Sequence, residues 1–281
     1  MIPLSALAAT LLSALLHAGW NLFLKQAGGG DRMVDLALLG LGGSLFGVVL
    51  IALFGAPVAG AWPFILASCA IHLVYWTALT RGYAAGDMSH VYTIARGMAP
   101  ALVTAGAVLA AGEVPGLGPV AGVLAISAGV MLVGVNRSAP LPATLWALLT
   151  GCAIAGYSLV DALGVRVNGD VFSYKGWGAI GTFLPISLLV IARRGPAGFA
   201  AAASGRWGRG MAAGAVSSAG FMLVLWAQMH APIGPITALR ETSVIFGAGL
   251  AALLLKERVT PRRWAGAAVV CAGAMLIGFA G

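Results

Sequence analysis

Charge is scarce in this sequence: Lys, Arg, Asp and Glu make up 9% of the 281 residues, where a soluble globular chain carries about a quarter. With 60% of its residues apolar and a mean hydropathy of +0.97, a water-soluble fold would expose too much apolar surface. Acids are scarcer than bases, eight against sixteen. That excess does not make a nucleic-acid binder, because the basic residues separate apolar runs instead of gathering on a solvated face. Cys69, Cys152 and Cys271 lie far apart inside those runs, which excludes a disulfide framework and metal-ligand spacing alike. No G-x-S-x-G, H-E-x-x-H or Walker loop occurs, so neither a catalytic residue nor a cofactor, metal or nucleotide-driven pump is expected. No polar stretch is long enough for a soluble domain.

What is present is a series of apolar segments near 3–24, 33–55, 62–81, 88–111, 115–135, 141–163, 171–192, 207–230, 234–255 and 262–280. Each approaches the roughly 20 residues that cross a hydrocarbon core as a helix. The first lacks a charged leader and a cleavage site, so it reads as a membrane helix and not a signal peptide. Turn residues fill the gaps, as in Gly112-Glu-Val-Pro115 and Ala231-Pro-Ile-Gly-Pro235. The 41 glycines, including the Gly43-to-Gly47 and Gly118-to-Gly122 spacings, suit close helix packing.

The sequence repeats. An offset of 144 residues sets Arg96 on Arg240, Glu113 on Glu257, Gly122 on Gly266, Gly129 on Gly273 and Gly134 on Gly278. Ala18-Gly19-Trp20 likewise matches Ala155-Gly156-Tyr157, and Leu73-Val-Tyr-Trp76 matches Leu223-Val-Leu-Trp226. Two units of five spans follow, residues 1–137 and 138–281. Because five is odd, the second unit enters the membrane from the opposite side, giving an all-α integral membrane fold of ten transmembrane helices in two inverted repeats. Secondary transporters with alternating access use such repeats and bind substrate between them near the midplane.

Lys and Arg mark orientation. One side of the ten spans collects Lys25, Arg32, Arg81, Arg137, Arg193, Arg194, Arg206, Arg209, Lys256, Arg258, Arg262 and Arg263, and the other only Arg166 and Lys175. The positive-inside rule makes the first side cytoplasmic and puts both termini outside. Lys25 reads as a snorkelling anchor, and Glu113 and Glu257 as caps of matched span ends.

An ionisable side chain inside a span is costly and marks function by default. Arg96, about eight residues into span four, and Arg240, about six into span nine, are the deepest. A guanidinium stays charged and grips carboxylate or phosphate bidentately. The competing structural role is capping of carbonyls or pairing with Glu241 or Asp161. Helical spacing sets Tyr92 beside Arg96, and Thr237 and Ser243 beside Arg240. His17, Trp20 and Asn21 share a face of span one, and His72, Tyr75 and Trp76 a face of span three. With Tyr157, these aromatic and polar faces suit a small-molecule pocket, although His72 alone reads as an interhelical hydrogen bond. Asp161, Glu241 and His17 are possible coupling groups, because burial can bring carboxylates toward neutrality and His titrates there.

The paired ends "GEVPGLGPVAGVLAISAGVMLVG" and "KERVTPRRWAGAAVVCAGAMLIG", with Pro100 ahead of Glu113, resemble the drug/metabolite transporter superfamily in its EamA-like branch. "HAGWNLFLK", "VYTIARGMAP" and "LRETS" further resemble a subgroup of membrane proteins associated with phosphonate utilisation. The resemblance implies ten spans around a central cavity and transport of metabolites or drugs. Val244 stands where the family's second repeat usually has proline, which implies an altered bend in span nine.

The expectation is thus a secondary transporter in the inner membrane, moving an anionic or zwitterionic metabolite of amino-acid-like or phosphonate-like chemistry, with a coupled proton or an exchange substrate. Its partners would be that solute and the lipid bilayer, in a monomer or homodimer. Two other readings are an exporter of cationic or amphipathic drugs using Glu241 or Asp161, and a non-transporting lipid-handling protein.

Overall fold

A computed structural model describes residues 2–26, 31–135, 138–255 and 260–280 of the chain. Residues 27–30, Arg137, the segment 256–259 with Glu257, and the side chain of the expected anchor Lys25 lie outside the described residues. The described residues form α-helices and one 3-10 turn: α1 (Leu4–Gln26), α2 (Arg32–Phe54), α3 (Trp62–Ala85), α4 (Met88–Ala111), α5 (Leu117–Gly134), α6 (Leu141–Asn168), α7 (Val171–Arg194), α8 (Pro196–Ala202), α9 (Trp207–His230), α10 (Ile233–Arg240), α11 (Ser243–Leu255) and α12 (Pro261–Ala280).

Among the described residues, nine helical runs are long and apolar enough to cross a membrane, α10 and α11 counting as one. α1, whose side chains are described only as far as Asn21, is not among them. Asp31 caps α2 by accepting from the backbone N–H groups of Met33 and Val34, and Asp170 caps α7 by accepting from those of Phe172 and Ser173. Gly112 ends α4 in the left-handed region at φ 65°, a conformation that a Cβ would disfavour.

Two local features depart from the sequence reading. The stretch after Arg194, expected as loop, contains α8: Gly195 turns at φ 74°, Pro196 opens the helix, and Phe199 packs edge-on to Trp207 with centroids 5.7 Å apart. Span nine is broken at Glu241-Thr242, whereas α4 runs continuously through Pro100. The break is a tight turn in which the N–H groups of Glu241 and Thr242 donate to the carbonyls of Ala238 and Leu239. The Thr242 hydroxyl also donates to Leu239 at 2.7 Å, competing with the regular helical ladder.

The helices pack in a recurring pattern. α2 lies along α7, and α5 along α12; α3 packs on α6 as α1 does on α9, while α4 meets α5 and α6, and α1 meets α10 and α11. Glycine sets the α5–α12 crossing. A Cβ on Gly122 would lie 2.6 Å from the Gly273 carbonyl oxygen, and one on Gly129 would lie 2.9 Å from that of Gly266. As the numbering rises along α5 it falls along α12, so these two helices run antiparallel. Buried Val123, Ile126 and Val130 of α5 and Val270 and Ile277 of α12 fill the crossing together with Leu239 of α10.

Opposite ends of the bundle are fastened differently. At one end Arg194 pairs with Asp31 and Arg206 with Asp35, tying the start of α2 to α7 and to the turn before α9. At the other, Glu113 accepts from Arg166 at 2.7 Å and from the Ile233 N–H at 2.7 Å. Arg166 in turn donates to the carbonyls of Gln228 at 2.8 Å and Ala231 at 2.9 Å.

Candidate functional site

A chamber of about 220 Å³ lies inside the bundle. Helix periodicity delivers one polar face from each of several elements. α1 contributes His17, Trp20 and Asn21; α3 contributes Ser68, His72, Tyr75 and Trp76; Tyr92 and Arg96 come from α4, Tyr157 and Asp161 from α6, and Arg240 from α10. A second cavity of about 590 Å³ shares His17, Asn21, Tyr83 and Tyr92 with the first and extends past Met88, Ser89 and Arg263. Met88, Ser89 and Arg263 are exposed and stand at the starts of α4 and α12. The two cavities therefore form a path from the chamber toward the end of the bundle where Lys and Arg abound.

Aromatic rings make the chamber wall. The His72 ring stacks on Tyr157 with centroids 4.0 Å apart and an interplanar angle of 24°. Tyr75 meets Trp76 edge-on at 4.9 Å and Tyr157 at 5.8 Å, and His17 meets Trp20 at 5.1 Å. The hydrogen bond of His72 stays within its own helix, from Nδ1 to the Ser68 carbonyl at 2.8 Å, so the expected interhelical bond is not what holds it. Asn21 donates to the His17 carbonyl at 2.7 Å.

The two arginines have different surroundings. Arg96 Nε donates to Glu241 Oε2 at 2.9 Å, with both side chains more than nine-tenths buried. Its guanidinium carbon lies 5.9 Å from the Tyr92 ring centre, and its Nη2 has no hydrogen-bond partner. Glu241 reaches Arg96 from the break after α10. Arg240 has no carboxylate partner among the described residues. Its guanidinium lies 5.1 Å from the centre of the Phe221 ring and its Nε makes no hydrogen bond. The nitrogens His17 Nε2 and Trp76 Nε1 are also buried without partners. A wall with several unpaired donors and apolar rings is chemically suited to an acidic ligand with a compact body.

Asp161 accepts from the Tyr174 hydroxyl at 3.0 Å and faces the chamber. Ser243 departs from its expected place beside Arg240: it lines the larger cavity with Val244 and Gly247, past the break that rotates α11 away. Thr237 is turned inward, accepting from Gln228 at 3.0 Å and donating to the Ile233 carbonyl at 2.8 Å. Lys175, expected among the charges marking one membrane face, is instead in the second turn of α7, 95% buried and on the chamber wall. Phe221 is a further wall residue that the sequence did not single out; it is offset four positions from Ser217, another lining residue, on one face of α9.

No curated protein matches this chain. One solved structure, described only as a crystal structure of a protein, matches 97% of this chain and 96% of its own, with a TM-score of 0.73 and 16% identity. At that identity the likeness shows the fold alone. Residues 141–279 match the EamA-like transporter family. The protein is thus a multi-pass helical membrane protein whose residues 141–279 are similar to the EamA-like transporter family.

Proposed function

We propose that the whole chain is a secondary transporter of the drug/metabolite superfamily, carrying a small anionic or zwitterionic metabolite by alternating access. The observation that carries this is the unpaired Arg240 guanidinium facing an aromatic chamber that adjoins an open path. In this reading the solute's acidic group meets Arg240 and the free Nη2 of Arg96, while Trp20, Tyr75, Trp76, Tyr92 and Tyr157 surround its body. Asp161 is the group on the wall best placed to carry a coupled proton.

Two five-span repeats, 1–137 and 138–281, are part of the proposal. The register that sets Gly122 on Gly266 and Gly129 on Gly273 predicts cross-pairing about a two-fold axis, and Gly122 meets Gly273 while Gly129 meets Gly266. Packing of α3 on α6 and of α1 on α9 is exchanged by the same operation. Inverted repeats place the substrate between them, where the chamber lies. The Lys/Arg-rich end is then cytoplasmic in an inner membrane, both termini are external, and the path opens inward. The external end is closed by the Glu113–Arg166 network.

The drug-exporter reading fits less well, because Glu241 is already engaged by Arg96 and Asp161 by Tyr174. The test is thermal stabilisation of the purified protein by anionic, zwitterionic and cationic metabolites, because a ligand that binds only the folded state raises apparent stability. Anions or zwitterions should stabilise the wild type and not Arg240→Gln; stabilisation by cations alone would refute the proposal.

A further inference from the structure

Lys175 is the least expected group in the chamber. It enters from the second turn of α7, 95% buried, and has no carboxylate or hydrogen-bonding partner among the described residues. Its ammonium lies 4.9 Å from the centre of the Phe221 ring and 5.5 Å from that of Phe183. Arg240 approaches the same Phe221 ring at 5.1 Å. Through their common ring the two cations stand no more than about 10 Å apart. Ring quadrupoles offset only part of the hydration that a buried cation loses, and two like charges so placed repel each other in a medium that screens poorly.

The charges on and behind the wall do not balance. Arg96 is neutralised by Glu241. Asp161 is beyond ion-pair distance of Lys175, acts on it only through space, and receives the Tyr174 hydroxyl. Arg96, Lys175 and Arg240 therefore face two carboxylates, Asp161 and Glu241, leaving a formal charge of +1 with the histidines neutral. A neutral zwitterion would leave that excess uncompensated, whereas a ligand carrying a net negative charge removes it.

We infer that Lys175 and Arg240 together form the acid-binding end of the chamber, so that Lys175 selects a ligand of net negative charge over its neutral counterpart. This rests on the reading of the chamber as the transport site. The ligand class is a compact organic acid in which one acidic group, or two a few ångströms apart, occupies the space around Phe221; an amino group elsewhere on the molecule would lie toward the Tyr75 and Tyr157 rings.

Matched acid and amide pairs isolate the charge at nearly constant shape. Equilibrium binding of glutamate against glutamine and of aspartate against asparagine is measured on the purified full chain, on Lys175→Gln and on Lys175→Arg. In the wild type, any scaffold that binds should prefer the acid by about tenfold or more, the scale of one charge-assisted hydrogen bond. Lys175→Arg should keep the preference. Lys175→Gln should remove it while amide affinity stays within about twofold. Equal affinity for acid and amide in the wild type, or a preference that survives in Lys175→Gln, overturns the inference and leaves the transporter reading intact. Binding of neither pair, together with no stabilisation by any anion or zwitterion, overturns both. Should Lys175→Gln not fold, the wild-type ratio and its retention in Lys175→Arg decide the outcome.

Discussion

Arg96 on α4 and Glu241 in the break between α10 and α11 form a buried ion pair, Nε to Oε2 at 2.9 Å, that joins the two halves of the chain beside the chamber. Pairing explains how Arg96 can lie so deep, and it distinguishes two arginines that the proposed repeat sets in matching positions. Arg96 is charge-paired within the protein, whereas Arg240 has no carboxylate partner among the described residues and is the guanidinium proposed to meet a solute.

Removing one partner of that pair should be worse than removing both. Glu241→Gln leaves an uncompensated guanidinium and should destabilise the fold by about 3–5 kcal/mol, whereas an apolar double replacement, Arg96→Met with Glu241→Leu, should recover much of the loss. A double-mutant cycle by thermal or denaturant unfolding in detergent measures this. Additive losses would mean that the pair contributes nothing as a unit.

The α5–α12 crossing depends on backbone approach. Gly273→Val places a side chain against the Gly122 carbonyl, whose oxygen would lie 2.7 Å from the first added carbon, and overpacking of this kind costs about 1–3 kcal/mol. Gly178→Ala in α7 meets nothing within 4 Å and should leave the melting temperature unchanged. Equal effects of the two substitutions would contradict the packing described.

In the proposed alternating-access cycle the Glu113–Arg166 network closes one end of the bundle and has to open. Glu113→Ala removes the acceptor shared by Arg166 and the Ile233 N–H. It should raise labelling of a cysteine placed at Ser68, deep on the chamber wall, by a membrane-impermeant thiol reagent added to the face where α6 ends. The comparison is made in a background where Cys69, Cys152 and Cys271 are replaced. Labelling unchanged by Glu113→Ala would remove the network from the gate.

Much of this was legible in the sequence, and the exceptions have physical causes. Apolar run length located nearly every span because a bilayer leaves little freedom in helix length. The polar faces of α1 and α3 could be read because residues three and four apart share a side. His17, Trp20, Tyr75, Trp76, Tyr92, Arg96, Tyr157 and Arg240 do gather at one chamber. The sequence offered an altered bend in span nine and Glu241 as a partner for a buried arginine, but not the break itself, at which Glu241 meets Arg96, 145 residues away, and beyond which Ser243 lines the larger cavity. Lys175 was misread because a lysine in the second turn of a span usually snorkels to the interface; only the inward direction of its side chain between α3 and α9 reveals otherwise.

Flux tests the central claim most directly. Purified wild type and Arg240→Gln are reconstituted at equal density into sealed vesicles, and uptake of the labelled acid that best stabilises the wild type is followed. Saturable uptake in the wild type, falling at least about tenfold in Arg240→Gln for loss of one charged contact, is the predicted result. Uptake no faster than in protein-free vesicles, or uptake unaffected by the loss of Arg240, would contradict the account.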